Sequence, residues 1–164
     1  MGRTLACAAV LLVVAAAPAA AALPPRGELV PGRSLGGVRL DETPAQVRAT
    51  LGSSYGVCRG CARTTWYFTY RAFDQHGLAV ELTDGRVSAV YTLWEPAGWH
   101  APEDLRLGAP QGQVAALAGT LLPIACSGYQ ALVRDSSTAR TVYYVADAKL
   151  WGFGLLRPDE SPCR

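Results

Sequence analysis

Cys58-Arg59-Gly60-Cys61 is the motif whose residue types and spacing could do chemistry. Two cysteines so placed can cycle between dithiol and disulfide. A redox pair of this kind wants its first sulfur at a helix N-terminus, where the dipole lowers the thiol pKa. Here the pair follows a short helical pattern and precedes a strand-like one. Three readings stand: a structural disulfide loop, which the context favours; an extracytoplasmic thiol–disulfide site using Cys58 and Cys61; and a metal site. Zinc would need Cys126 and Cys163 to converge on the pair, and those two do not form a second Cys-x-x-Cys.

The other titratable residues are less suggestive. His76 precedes Gly77 in a turn pattern with Asp74 nearby, and His100 stands beside Trp99. Neither lies near a nucleophile motif. Asp41-Glu42 and Glu103-Asp104 precede helical patterns, where negative charge suits the helix dipole. Asp159-Glu160 reads as a solvated tail. The sequence thus nominates no catalytic residue, no metal ligand and no cofactor, and the chain is read as not an enzyme.

Residues 1–22 read as a secretory signal peptide: Arg3, an apolar run over Leu5–Ala17, then Ala20-Ala21-Ala22. The apolar run is short for a membrane span and has no basic stop-transfer flank. A secreted or extracytoplasmic chain follows, with no membrane span after cleavage. Cys7 leaves with the leader. The remaining Cys58, Cys61, Cys126 and Cys163 are an even set, which in an exported chain means disulfides with three possible connectivities. The expected pairing is Cys126–Cys163, which leaves Cys58–Cys61 as a local loop. For that, the tail from Arg157 to Cys163 must fold back, and seven residues span at most roughly 23–25 Å.

The full chain of 164 residues carries a formal net charge of +2, with one lysine against fourteen arginines and no asparagine. So small a charge leaves no footprint for nucleic acid. The mature length allows a real core, and the chain reads as a monomer.

Two stretches place these residues. Val38–Gly52 is a strand-like lead, a capped helix start and a glycine stop. Thr43 suits the N-cap, Pro44 the first turn, and Gln46 completes a capping box. Val47 and Leu51 lie one turn apart. A weaker copy begins at Leu105, where Leu107 matches Leu40 and Val114 matches Val47. Its helix is expected over Gln111–Leu121, with Val114, Leu117 and Leu121 on one stripe and Pro123 as the stop.

Hairpins follow each helix. Leu78–Thr83 and Arg86–Leu93 flank Asp84-Gly85, a two-residue turn signal. Strict alternation then sets Leu82 opposite Val87 and Val80 opposite Ala89 on one face, with Glu81 and Ser88 on the other. Thr141–Ala146 and Lys149–Leu156 flank Asp147-Ala148 in the same way. Thr65–Phe73 and Tyr129–Arg134 supply further strands. The expected fold class is α+β: two tandem helix-plus-antiparallel-sheet units forming one curved sheet layer with helices on one side. The expected divisions are an extended arm at 23–34, a first unit at 35–94, a linker at 95–104 and a second unit at 105–164.

The lead–helix pattern resembles the outer-membrane assembly lipoproteins of the BamE/SmpA type, whose motif runs Gly-Met-Thr, a valine three or four residues on, then Leu-Gly. The first copy keeps Thr43, Val47, Leu51 and Gly52 but has Asp41 and Glu42 for Gly-Met. The second keeps Gly108 and Val114. Two such units in one secreted chain resemble the β-lactamase inhibitory protein fold. The resemblance implies a protein that acts by binding another protein, and it assigns no contact residue here.

Uninterrupted alternation in the second hairpin sets Tyr144 opposite Trp151, with Phe153 further along the same face. The matching face of the first hairpin carries Glu81, Ser88 and Val90. An uncovered aromatic face would be a recognition surface. The leading expectation is a secreted, non-enzymatic protein-binding module using Tyr144, Trp151 and Phe153 against an unidentified protein. The alternatives are the Cys58/Cys61 thiol–disulfide protein and a purely structural envelope protein.

Overall fold

The computed structural model describes residues 27–69, 77–93 and 96–164. In chain order these form β1 (Leu29–Val30), β2 (Ser34–Leu35), α1 (Pro44–Leu51), β3 (Gly56–Val57), β4 (Thr64–Thr69), β5 (Gly77–Thr83), β6 (Arg86–Leu93), β7 (His100–Ala101), a short 3-10 turn (Pro102–Asp104), β8 (Leu105–Arg106), α2 (Gln111–Ala118), β9 (Leu122–Cys126), β10 (Tyr129–Asp135), β11 (Arg140–Ala146) and β12 (Lys149–Leu156). The expected leader at 1–22, the first residues of the arm, Asp74, His76 and Trp94 lie outside the described residues.

One antiparallel sheet of eight strands dominates, in the order β3-β4-β5-β6-β12-β11-β10-β9. This corrects the expected fold class. The protein is mostly β, not α+β, and it is not two helix-plus-sheet units. The sheet's hydrogen bonding runs unbroken through β6 and β12, where Tyr91 faces Gly154 and Ala89 faces Leu156. Each helix is only eight residues long and covers little of the sheet. Helices this short hold only by packing. Much of the cover is instead non-helical: Leu29 from the arm, Leu35 and Val38 from the lead into α1, with Trp99, Ala101 and Leu105. Trp99 is fully buried and sits so tightly that a Cβ on Gly27 would lie 2.5 Å from its ring.

α1 begins as its residues dictate. The Thr43 side chain accepts from Gln46 N, and the Gln46 side chain accepts from Thr43 N. Val47 and Leu51 are its buried residues. α2 has Pro110 at its N-cap with no side-chain hydrogen bond, and stops at Ala118 rather than Leu121. Gly119 takes φ 72° and ends it. The chain then enters β9, where Pro123 is a strand residue and not a helix stop.

Both hairpins turn through two successive left-handed residues. Asp84 and Gly85 have φ 52° and 69°, and Asp147 and Ala148 have φ 48° and 57°. That geometry matches the right-handed twist of paired strands. Alanine is strained there and glycine is not. Ala148→Gly is therefore expected to raise the unfolding free energy by about 0.5–1 kcal/mol, seen as a higher denaturant midpoint at unchanged slope.

Next to each turn the register slips by one residue. Leu82 faces Val87 but Glu81 faces Ala89, so Ser88 is extra. Val145 faces Leu150 but Tyr144 faces Gly152, so Trp151 is extra. Such a bulge reverses the in–out alternation of every residue beyond it. Val80 thus faces Val90 rather than Ala89. The bulges are also where the helix leads dock. Asp41 N donates to Val87 O and Val87 N donates to Glu42 O, both at 2.9 Å. Gly108 N donates to Leu150 O at 2.6 Å, and Leu150 N to Ala109 O at 2.8 Å.

Candidate functional site

The bulge at Trp151 separates the three aromatic residues expected on one exposed face. Phe153 falls on the inner face with Tyr143, Val145 and Leu150, and is 0% exposed. Tyr144 and Trp151 stay on the outer face. Tyr144 is only 2% exposed and Trp151 is half-buried. The open aromatic surface expected of Tyr144, Trp151 and Phe153 is therefore not formed. One of the three points into the core, and the other two are covered.

Tyr144 lies along a track of glycines. A Cβ on Gly152 would come within 3.2 Å of its ring, and one on Gly154 within 2.7 Å of its hydroxyl. Tyr129 stands edge-on to both Tyr144 and Trp151, at 5.8 and 5.6 Å between ring centroids. Beside them, the bulge of the first hairpin sets Ala89 opposite Glu81 and leaves Tyr91 on the same face. The Tyr91 hydroxyl donates to Glu81 Oε1 at 3.1 Å.

The tail after β12 closes over this face. Tyr129 Oη donates to Arg164 O at 2.6 Å, and Arg164 N lies 2.5 Å from the same hydroxyl. The Arg164 guanidinium sits over the Tyr91 ring at 5.7 Å. It also approaches Glu81 Oε1 at 3.8 Å and Glu160 Oε2 at 3.6 Å. Arg63 ion-pairs with Glu160 and, at 3.5 Å, with Glu81. Arg140 Nη1 donates to Glu160 O at 2.8 Å. Asp159-Glu160, read from sequence as a solvated tail, thus contributes a buried carboxylate to a four-residue charge cluster. Asp41 is likewise more than a dipole partner, since it ion-pairs with Arg157.

The cover is imperfectly satisfied. Tyr144 Oη and Trp151 Nε1 are buried without hydrogen-bond partners among the described residues, and Arg164 Nε and Nη2 have only looser ion-pair contacts, whereas Glu160 Oε2 is closely paired with Arg63. Burial also pushes the hydroxyl pKa of Tyr144 well up, and that of Tyr91 up, helped there by the Glu81 carboxylate.

Two disulfides are present. Cys58 pairs with Cys61, and Cys126 with Cys163 across 37 residues. The first closes an exposed loop that leads into β4, not into a helix, so no helix N-terminus activates it. The Tyr67 hydroxyl lies 3.9 Å from Cys61 Sγ. The second ties the tail to the end of β9. Disulfides of this kind fit an extracellular protein. The chain shows no group of three or more His, Cys, Asp or Glu able to hold a metal among the described residues. His100 lies in β7, with its N–H donating to Gly27 O at 3.0 Å. Among the described residues, no helix is long and apolar enough to cross a membrane.

Among the described residues, two large apolar side chains are exposed, and they stand at the two sheet edges. Val57 on β3 is 53% exposed and Leu122 on β9 is 57% exposed. Leu122 faces Val133 and Ile124 faces Ala131, so both lie at the margin of the outer face, beyond the part covered by the tail. The sequence hid this edge, because Leu121-Leu122-Pro123 reads as a helix end. The alternation Leu122, Ile124, Cys126 was the signal that could have revealed it.

No family model matches the chain, and no curated protein matches it. Two solved structures are similar. One is a DUF4309 family protein (YjgB) from Bacillus subtilis subsp. subtilis str. 168, with TM-score 0.56 and 15% identity over 75% of this chain and 84% of that one. The other is an extracellular protein containing a SCP domain from Bacillus anthracis str. Ames, with TM-score 0.51 and 11% identity over 73% of this chain. The chain matches 44% of that protein's length. Identities this low concern the fold alone. Nothing in these comparisons points to BamE/SmpA-type or β-lactamase-inhibitory-protein units.

Proposed function

We propose that the protein is an extracytoplasmic, non-enzymatic protein-binding module that makes contact through the β9 margin of its outer face. The observation that carries this reading is Leu122, a large aliphatic side chain 57% exposed on an edge strand. Ile124, half-buried, shares the outer face with it, and Pro123 and Ala125 are exposed on the other face, so the strand carries no charge on either side. Pro123 has no N–H to donate, which disfavours strand addition at this edge and favours side-chain contact. The two disulfides support an oxidising compartment. The extracellular description of the Bacillus anthracis neighbour agrees with that compartment.

The test is a photo-crosslinking amino acid at position 122, with position 57 on the opposite edge as the comparison. A discrete crosslinked protein is expected from 122 and not from 57. Leu122→Asp is expected to weaken that partner's binding by about 2 kcal/mol or more, near thirtyfold, with an unchanged melting temperature. Crosslinks that are absent, or equal from both edges, would sink the reading.

A further inference from the structure

We propose that the tail from Arg157 to Arg164 is a redox-controlled strap, held over the outer aromatic face by the Cys126–Cys163 disulfide. The covered face is Tyr91, Tyr129 and Tyr144, with half-buried Trp151 packed at its side, and the strap supplies Glu160 and Arg164 to the charge cluster above it. This inference does not depend on the contact assigned to Leu122, which lies on the uncovered margin.

Three observations carry it. First, the tail has no strand or helix of its own, and beyond the Arg157 N to Ser88 O bond at its start no backbone ladder holds it down among the described residues. Second, its side-chain interface is only partly satisfied: Tyr129, Arg140 and Arg63 hold Arg164 and Glu160, but other groups under and within the strap lack good partners among the described residues. The Tyr144 hydroxyl and the Trp151 indole N–H are buried without hydrogen-bond partners, and Arg164 Nε and Nη2 meet their carboxylates only at 3.8 and 3.6 Å. Groups in that state would be better solvated with the strap open. Third, the disulfide joins the tail to the last residue of β9, next to the turn into β10, and both cysteines are only half-buried. A covalent tie therefore backs a noncovalent one that leaves several buried polar groups unsatisfied.

Opening is a two-electron step. A dithiol reductant attacks the Cys126–Cys163 bond through its thiolate and passes through a mixed disulfide. It leaves as a cyclic disulfide, having given up two electrons and two protons, and Cys126 and Cys163 each end as a thiol. The Cys58–Cys61 disulfide makes no covalent tie to the strap, although it lies two residues before Arg63, the partner of Glu160, and its reduction leaves the Cys126–Cys163 tie intact and the face closed.

The experiment uses the full mature chain with dithiothreitol as the dithiol, alongside Cys126→Ser/Cys163→Ser and Cys58→Ser/Cys61→Ser variants. The readouts are cleavage after Glu160 by a glutamate-specific protease, iodide quenching of tryptophan emission, and amide exchange of the central strands. With the tail disulfide reduced or removed, cleavage after Glu160 should rise by about thirtyfold or more. Quenching should also rise, and Trp151→Phe should abolish that increase. The β5, β6, β11 and β12 amides should stay protected. The Cys58→Ser/Cys61→Ser variant should behave like the oxidised wild type. Tyr144→Phe, which removes an unpartnered hydroxyl, should lower cleavage of the reduced form by about tenfold. A tail that stays protected when reduced would overturn the proposal. So would central strands that lose protection together with it, since the strap would then have no open state of its own.

Discussion

Phe153→Ala is expected to lower the unfolding free energy by about 3–5 kcal/mol, while Trp151→Ala lowers it by roughly 1–2 kcal/mol. The two residues are neighbours on β12, and strict alternation would give them the same environment. The bulge gives them opposite ones. Phe153 is fully buried on the inner face, edge-on to Tyr143 at 6.1 Å. Its removal leaves a cavity that the sheet and the arm cannot collapse into, because Thr92 Oγ1 accepts from Phe153 N at 2.8 Å and pins that backbone. Trp151 is half-buried, packed on Tyr129 and Tyr144, and loses less on truncation. Urea titrations at equal slope measure both losses. Equal losses, or a larger one at Trp151, would show that the strand keeps a regular register.

A steep loss of stability above pH ~10 is the second large effect. Tyr91, Tyr143 and Tyr144 are buried, and each hydroxyl pKa is raised. Burial is the first cause in all three. Glu81 adds to it at Tyr91, while nearby arginines partly oppose it at Tyr143 and Tyr144. The sign follows from where the proton is lost first. Below the ordinary tyrosine range both folded and unfolded chains are protonated, and the contribution is fully present. As pH rises through that range the unfolded chain ionises and the folded chain does not. The unfolded state is then favoured until the raised folded values are reached. Each tyrosine that stays protonated in the fold contributes a slope of up to about 1.4 kcal/mol per pH unit, so Tyr91 and Tyr144, raised furthest, contribute up to about 3 kcal/mol per pH unit between them, and Tyr143 adds to it. Tyr144→Phe should reduce the measured slope by one proton. Chemical denaturation between neutral pH and pH 11 reads it. A slope unchanged in all three Tyr→Phe variants would mean that these hydroxyls ionise freely in the fold.

Local chemistry was legible where it acts within a few residues. The Thr43–Gln46 capping box needs only its own four residues, and it is present. The Asp84-Gly85 and Asp147-Ala148 turns need only a pair of left-handed residues, and Ala148 adopts that conformation despite its Cβ. Misreadings arose where a distant segment intervenes. The leads at Asp41–Glu42 and Gly108–Ala109 bond to Val87 and Leu150 beside the bulges, and alternation within a hairpin cannot report either. The pairing of β6 with β12, which joins strands more than fifty residues apart, is likewise beyond the reach of local patterns.

The hairpin turns and the first helix with its cap follow from the sequence alone, because dihedral preference and short-range hydrogen bonds suffice for them, and the four cysteines from Cys58 onward are an even set. Only the tertiary structure decided which side of the sheet each aromatic residue takes. One extra residue in a strand flips every side chain beyond it, so Phe153 enters the core and Tyr144 does not. Only the tertiary structure, too, decided that Glu160 is buried. A carboxylate so close to the end of the chain becomes interior only when Arg63 and Arg164 converge on it and a disulfide holds the tail in place.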